Sequence, residues 1–150
     1  MIGFYNKEIG FELKNKRMIK KWIKTVIEQY RKKCGNINVI FCSDPVILRM
    51  NRQFLNHDYY TDIITFDYCE EDFVSGDLYI SIDTVSANAE EYGEVFETEL
   101  HRVMIHGILH LLTLNDHTED QIREMRKAED GSLSLLEKMA LLEKNKEREK

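Results

Sequence analysis

His106 and His110 stand four residues apart in HGILHLLTLNDH (residues 106–117), and Asp116 and His117 follow within two helical turns. On an α-helix, positions i and i+4 project from one face, so both imidazoles can reach one ion without bending the backbone. Imidazole and carboxylate are both zinc ligands, and a catalytic zinc keeps three protein ligands and a fourth position for water. A lone histidine on an apolar helix is more often a hydrogen-bonded core residue. A pair at this spacing, followed by Asp-His, favours a metal site. Leu100, Val103, Met104, Ile105, Ile108, Leu109, Leu111 and Leu112 wall it with apolar side chains. Gly107 is expected to leave a cleft above the helix beside the first histidine. The pattern is not HExxH, because Gly107 occupies the place of the glutamate base, and peptidase chemistry is disfavoured.

The elements that must position these groups are legible from periodicity. Residues 15–32 carry Met18, Ile19, Trp22, Ile23, Val26 and Ile27 at helical spacing. Residues 36–42 are β-branched and apolar, a strand, and Ser43-Asp44-Pro45 then starts a helix running from Val46 to about Leu55. Residues 62–68 and 77–82 read as two strands of an antiparallel hairpin around the acidic loop CEEDFVSG. Residues 84–93, 97–112 and the stretch from about Glu119 onward read as helices, and Ile2, Phe4 and Tyr5 as a short first strand. Strands in the middle and helices on both sides predict an α+β fold: one domain over residues 1–150, with a small mixed sheet of about four strands covered by helices.

Composition narrows the function classes. The chain is 43% hydrophobic and 32% charged, as expected of a globular protein, and no apolar run reaches the length of a membrane span. Cys34, Cys42 and Cys69 are odd in number and lack CxxC spacing, which argues against a disulfide framework or a cysteine zinc knuckle and for a reducing compartment. A net charge of −6 argues against bulk electrostatic binding of nucleic acid. Residues 15–33 are the exception, dense in Lys and Arg with Glu28 as their only acid. They read as the solvated face of an amphipathic helix that could also touch phosphate.

Three segments together resemble the YbeY family, the single-domain metal-dependent endoribonucleases of bacterial ribosomal RNA maturation. Residues 106–112 are similar to the start of the family signature HGxLHLxGYDH. Thr61-Asp62-Ile63-Ile64-Thr65-Phe66 is similar to its T-[DN]-V-L-S-F strand, and Gly76-Asp77-Leu78-Tyr79-Ile80 to its G-D-I/L-x-I strand. Length and element order also match. The resemblance implies His106 and His110 as ligands of zinc, although nickel or another divalent transition-metal ion would accept the same donors. It further implies a cytoplasmic, single-strand-directed endoribonuclease whose partner is RNA, namely ribosomal RNA within ribosomal particles, and neither DNA nor a membrane.

Two departures from the family pattern bear on the site. The third ligand usually stands six residues after the second histidine. That position is Asp116 here; His117 stands seven after, and Thr113-Leu114-Asn115 replaces the Gly-Tyr turn. Either the register holds and Asp116 ligates, or the turn has one extra residue and His117 ligates. Asp116 is preferred, because an inserted residue would re-aim everything after it. Six residues before the Thr-Asp motif the family usually has an arginine facing the RNA, and Leu55 stands there. Arg52 or His57 is the candidate to supply that cation at a developing phosphate charge. Asp62 would orient a ligand imidazole or serve as a hydrogen bond at a strand end. Arg102, one turn before His106, reads as a salt-bridging surface residue. Two other functions fit the same motifs: a metal-dependent hydrolase of another ester or amide, and a non-catalytic ribosome- or RNA-associated factor.

Overall fold

Alternation of apolar residues along two strands sets one buried face of the sheet. Ile37, Val39 and Phe41 of β2 (Lys33–Cys42) and Val74, Leu78 and Ile80 of β4 (Phe73–Ser81) all turn inward. The structure, a computed structural model, describes residues 1–55 and 61–149. β2 and β4 pair in parallel, with Val39 beside Leu78 and Phe41 beside Ile80. β1 (Ile2–Asn6) pairs in parallel with the other edge of β2, and β3 (Ile63–Asp67) pairs antiparallel with β4. The order β1-β2-β4-β3 makes a four-stranded mixed sheet among the described residues. The α+β class and the hairpin agree with the sequence reading. The hairpin loop is shorter than expected, because residues 73–76 continue β4 and pair with β2 from Lys33 onward.

Three helices cover the buried face. α1 (Lys16–Gln29) contributes Ile19, Trp22, Ile23, Val26 and Ile27, and α4 (Phe96–Leu111) contributes Leu100, Val103, Met104, Ile105, Ile108 and Leu109. α5 (Glu119–Arg148) lies across both, and the Trp22 indole N–H donates to Ser132 O at 2.7 Å. On the opposite face α2 (Asp44–Met50) buries Val46, Ile47 and Met50 against Cys42 and Ile64. It then opens into a wider π turn over Asn51–Leu55 where a continuous α-helix was expected. α3 (Ile82–Tyr92) leaves the end of β4 directly, its Thr84 N–H capped by Ser81 Oγ. Pro45 stands in the first turn of α2 as the sequence suggests, but Ser43 makes no side-chain cap. Cys34, Cys42 and Cys69 are free thiols. Among the described residues no helix is long and apolar enough to cross a membrane.

Gly107 corrects one expectation. It opens no cleft; it is buried against the sheet, where a Cβ would stand 2.7 Å from Ile63 Cδ1 and 3.0 Å from Leu78 Cδ2. The missing side chain lets α4 approach β3 and β4 closely, which turns His106 and His110 away from the sheet, towards α5.

Candidate metal centre

His106 and His110 rise from one face of α4 with their Nε2 atoms 2.9 Å apart. Asp116 Oδ2 lies 3.4 Å from each. These are the one group of His, Cys, Asp or Glu among the described residues whose donor atoms converge as a metal would require. His117 is exposed and stands outside it; its backbone N–H donates to Gln121 Oε1.

The turn that carries Asp116 is clamped at both ends. α4 closes with paired C-terminal bonds, Leu114 N–H to Leu109 O at 3.0 Å and Thr113 N–H to His110 O at 2.9 Å. That closure needs a left-handed residue, and Thr113 takes it with φ 73°, in the place where the resembled signature has glycine. The turn therefore keeps its length without glycine. α5 opens four residues later with a reciprocal cap, Gln121 N–H to Thr118 Oγ1 and Thr118 N–H to Gln121 Oε1, both 3.1 Å. Between the two caps Asp116 has little freedom to point elsewhere.

Hydrogen bonds at the far side of each ring define the tautomers. His110 Nδ1–H donates to Leu114 O at 2.9 Å, because a carbonyl can only accept. His106 Nδ1–H donates to Glu129 Oε2 at 2.7 Å. In this tautomer each imidazole turns Nε2 toward the other, and the carboxylate of Asp116 faces both. Three acceptors converge, an arrangement that repels unless a proton or a metal ion sits between them. A tetrahedral zinc with bonds of about 2.0–2.1 Å sets its ligand atoms about 3.3 Å apart, close to the 2.9 and 3.4 Å found. The donor set thus fits a divalent transition metal.

Glu129 is the residue that sequence reasoning missed. It is 5% exposed, and its second oxygen accepts from Arg102 Nη1 at 3.0 Å. Arg102 also donates to Asp130 at 2.9 Å, so it is the half-buried tie between α4 and α5 rather than a surface residue. Nothing local marks Glu129, which lies 23 residues from His106 in a helix rich in acids. The pairing of a ligand imidazole with a carboxylate is the usual support of metal-bound histidine. Burial opposes charging of His106, but the hydrogen bond and charge of Glu129, aided by Asp116 and Asp62, hold its pKa above the ordinary 6.5.

Asp62 lines the same cleft as His106 and Asp116, together with Glu99 and Arg102. Burial pushes the Asp62 carboxyl above its usual range, only partly offset by His106 and by the amides of Asp62 and Ile63. Burial also raises Glu99, which Arg102 partly offsets. Arg52 is exposed on the π turn and is not among the described residues lining this cleft. His57 lies outside the described residues. Leu55, in the place of the family arginine, is 41% exposed.

The comparisons with known proteins agree on one family. The family model for endoribonuclease YbeY matches residues 3–137. Endoribonuclease YbeY of Bacteroides thetaiotaomicron is 54% identical over 120 residues, covering 80% of this chain and 88% of the relative. That of Phocaeicola vulgatus is 50% identical over 136 residues, covering 91% and 99%. Among solved structures, the solution structure of TM1509 from Thermotoga maritima superposes with a TM-score of 0.63 at 28% identity, covering 92% of this chain and 93% of that one.

Proposed function

The chain belongs to the endoribonuclease YbeY family, and from that premise we infer that it is a zinc-dependent, single-strand-directed endoribonuclease of ribosomal RNA maturation, working in the cytoplasm as one domain. The observation that carries the reading is the convergence of three ligand atoms, His106 Nε2, His110 Nε2 and Asp116 Oδ2, at the spacing a metal ion would require.

His106, His110 and Asp116 would hold the ion, and three protein ligands leave room for water or a phosphate oxygen. When bound, such a cation supplies Lewis acidity, neutralising phosphate charge and easing removal of a proton from water near neutral pH. The chain's own residues do the rest. Glu129 and the Leu114 carbonyl fix both imidazoles in the ligating tautomer. Asp62, whose carboxyl binds a proton more readily than usual, can take a proton from the attacking oxygen or return one to the leaving oxygen. Arg52 and His57 are the proposed cations for the phosphate, in the role that Leu55 cannot fill.

The test is cleavage of a single-stranded ribosomal RNA fragment by zinc-loaded protein. Cleavage should vanish with chelator, return with zinc and be lost in His106→Ala. A His106→Ala protein with full metal content and full ribonuclease activity would sink the reading.

A further inference from the structure

The cleft beside His106 and Asp116 extends well beyond them, with a volume of about 620 Å³ between α3, α4 and α5. That is more than an ion and its water need, and it falls in the range of sites that enclose a small organic group. Two large side chains in its lining take no part in the core. Tyr92, the last residue of α3, is 62% exposed, and Ile122, in the first turn of α5, is 51% exposed. The Tyr92 ring is carried on a firmly closed helix end: Gly93 adopts φ 66°, and Glu94 N–H bonds back to Ala89 O at 2.8 Å.

Arg123 and Arg126 line the same cleft from α5. Arg123 pairs with Asp120, and Arg126 stands 3.9 Å from Glu129. Both guanidinium groups are largely exposed, so these pairs are weak and can be exchanged for phosphate. Among the described residues, four carboxylates in the lining (Asp62, Glu99, Asp116, Glu129) face three guanidinium groups (Arg102, Arg123, Arg126). The formal balance is one negative charge, which a single divalent cation at the metal centre reverses. An aromatic face, an aliphatic side chain and two guanidinium groups beside that centre match the chemistry of one nucleotide. A duplex keeps its bases stacked inside and cannot offer one, whereas a single strand can.

Resting on the endoribonuclease reading above, we propose that this cleft is a nucleotide subsite: Tyr92 and Ile122 receive one unpaired base of the RNA, and Arg123 and Arg126 hold the adjoining phosphate. The strand is thereby led towards His106 and Asp116. The two arginines of α5 act on this phosphate in addition to the cations proposed at Arg52 and His57.

The test is fluorescence anisotropy with zinc-loaded full-length protein and a labelled single-stranded oligoribonucleotide, 2′-O-methylated against cleavage. Tyr92→Ala should weaken binding about 5- to 150-fold, the range for loss of one base–aromatic stack. Tyr92→Phe should bind within about twofold of wild type, since the ring face is retained. The Arg123→Gln/Arg126→Gln protein should lower the salt slope of log K by about 0.7, one phosphate contact on a single strand. Zinc content should be unchanged in all of them. Tyr92→Ala and the double variant binding like wild type would overturn the subsite and leave the endoribonuclease reading intact. Failure of the wild type to bind or cleave RNA would overturn both.

Discussion

Replacing Glu129 by Gln isolates the part of the site that lies outside the three donors. Glu129 takes one N–H from His106 at 2.7 Å and one from Arg102 at 3.0 Å, and it is 5% exposed. A carboxamide has one acceptor oxygen, so Gln can serve only one of these donors while its NH₂ faces the other. If it serves Arg102, the His106 ring loses the bond that sets its tautomer and aim. If it serves His106, the ring keeps a weaker neutral partner and its Nε2 becomes less basic. Loss of such a supporting carboxylate typically costs 10- to 100-fold in metal affinity, or about 1.4–2.7 kcal/mol. The assay is competition for zinc against a chromophoric chelator at pH 7.5, with circular dichroism to verify folding. Asp130→Asn, which alters only the exposed partner of Arg102, should stay within about twofold of wild type. A folded Glu129→Gln protein holding zinc within about threefold of wild type would refute the argument that this carboxylate supports the ligand, because the predicted loss starts at about tenfold.

Three further outcomes are expected. Asp116→Ala should lose zinc on desalting while His117→Ala retains about one ion per chain; elemental analysis giving the reverse would make His117 the ligand. Thr113→Gly should raise stability by about 1 kcal/mol, or about 2–4 °C in Tm, by relieving a β-branched residue at φ 73°; an unchanged or lower Tm would show that the turn carries no strain. The metal-free protein should lose stability as pH rises above 6.5. The folded pKa of His106 lies above its unfolded value, so its stabilisation is full below 6.5 and is lost as pH rises through the folded pKa. His101, whose pKa burial lowers, acts in the opposite sense below 6.5. Zinc competes with the proton at His106 and should reverse the trend. Melts with chelator and with zinc, alongside His106→Asn, would expose the error if the metal-free Tm rose as pH increased above 6.5.

Much of this protein is written locally in its sequence. The i, i+4 spacing of His106 and His110 needs only helical periodicity to put two imidazoles on one face. The alternation in residues 36–42 and 77–82 needs only the two-residue period of a strand, so the helices, the hairpin and the α+β class follow from short-range pattern. Even the identity of the family is carried by three contiguous segments. What the sequence could not decide depends on groups that meet only when distant elements pack. Asp116 faces the histidines and His117 does not because a left-handed Thr113 closes α4 and Thr118 and Gln121 open α5, fixing the aim of the residues between them. Gly107 looked like space above a cleft. It proved to be the point of close approach to Ile63 and Leu78, since which side of α4 meets the sheet is a tertiary matter. Glu129 reaches His106 across 23 residues because α5 lies back over α4. Spacing along a chain determines which side chains share a face, but the partner of a face is set by packing, and at this site packing decided the third donor and the carboxylate behind the first.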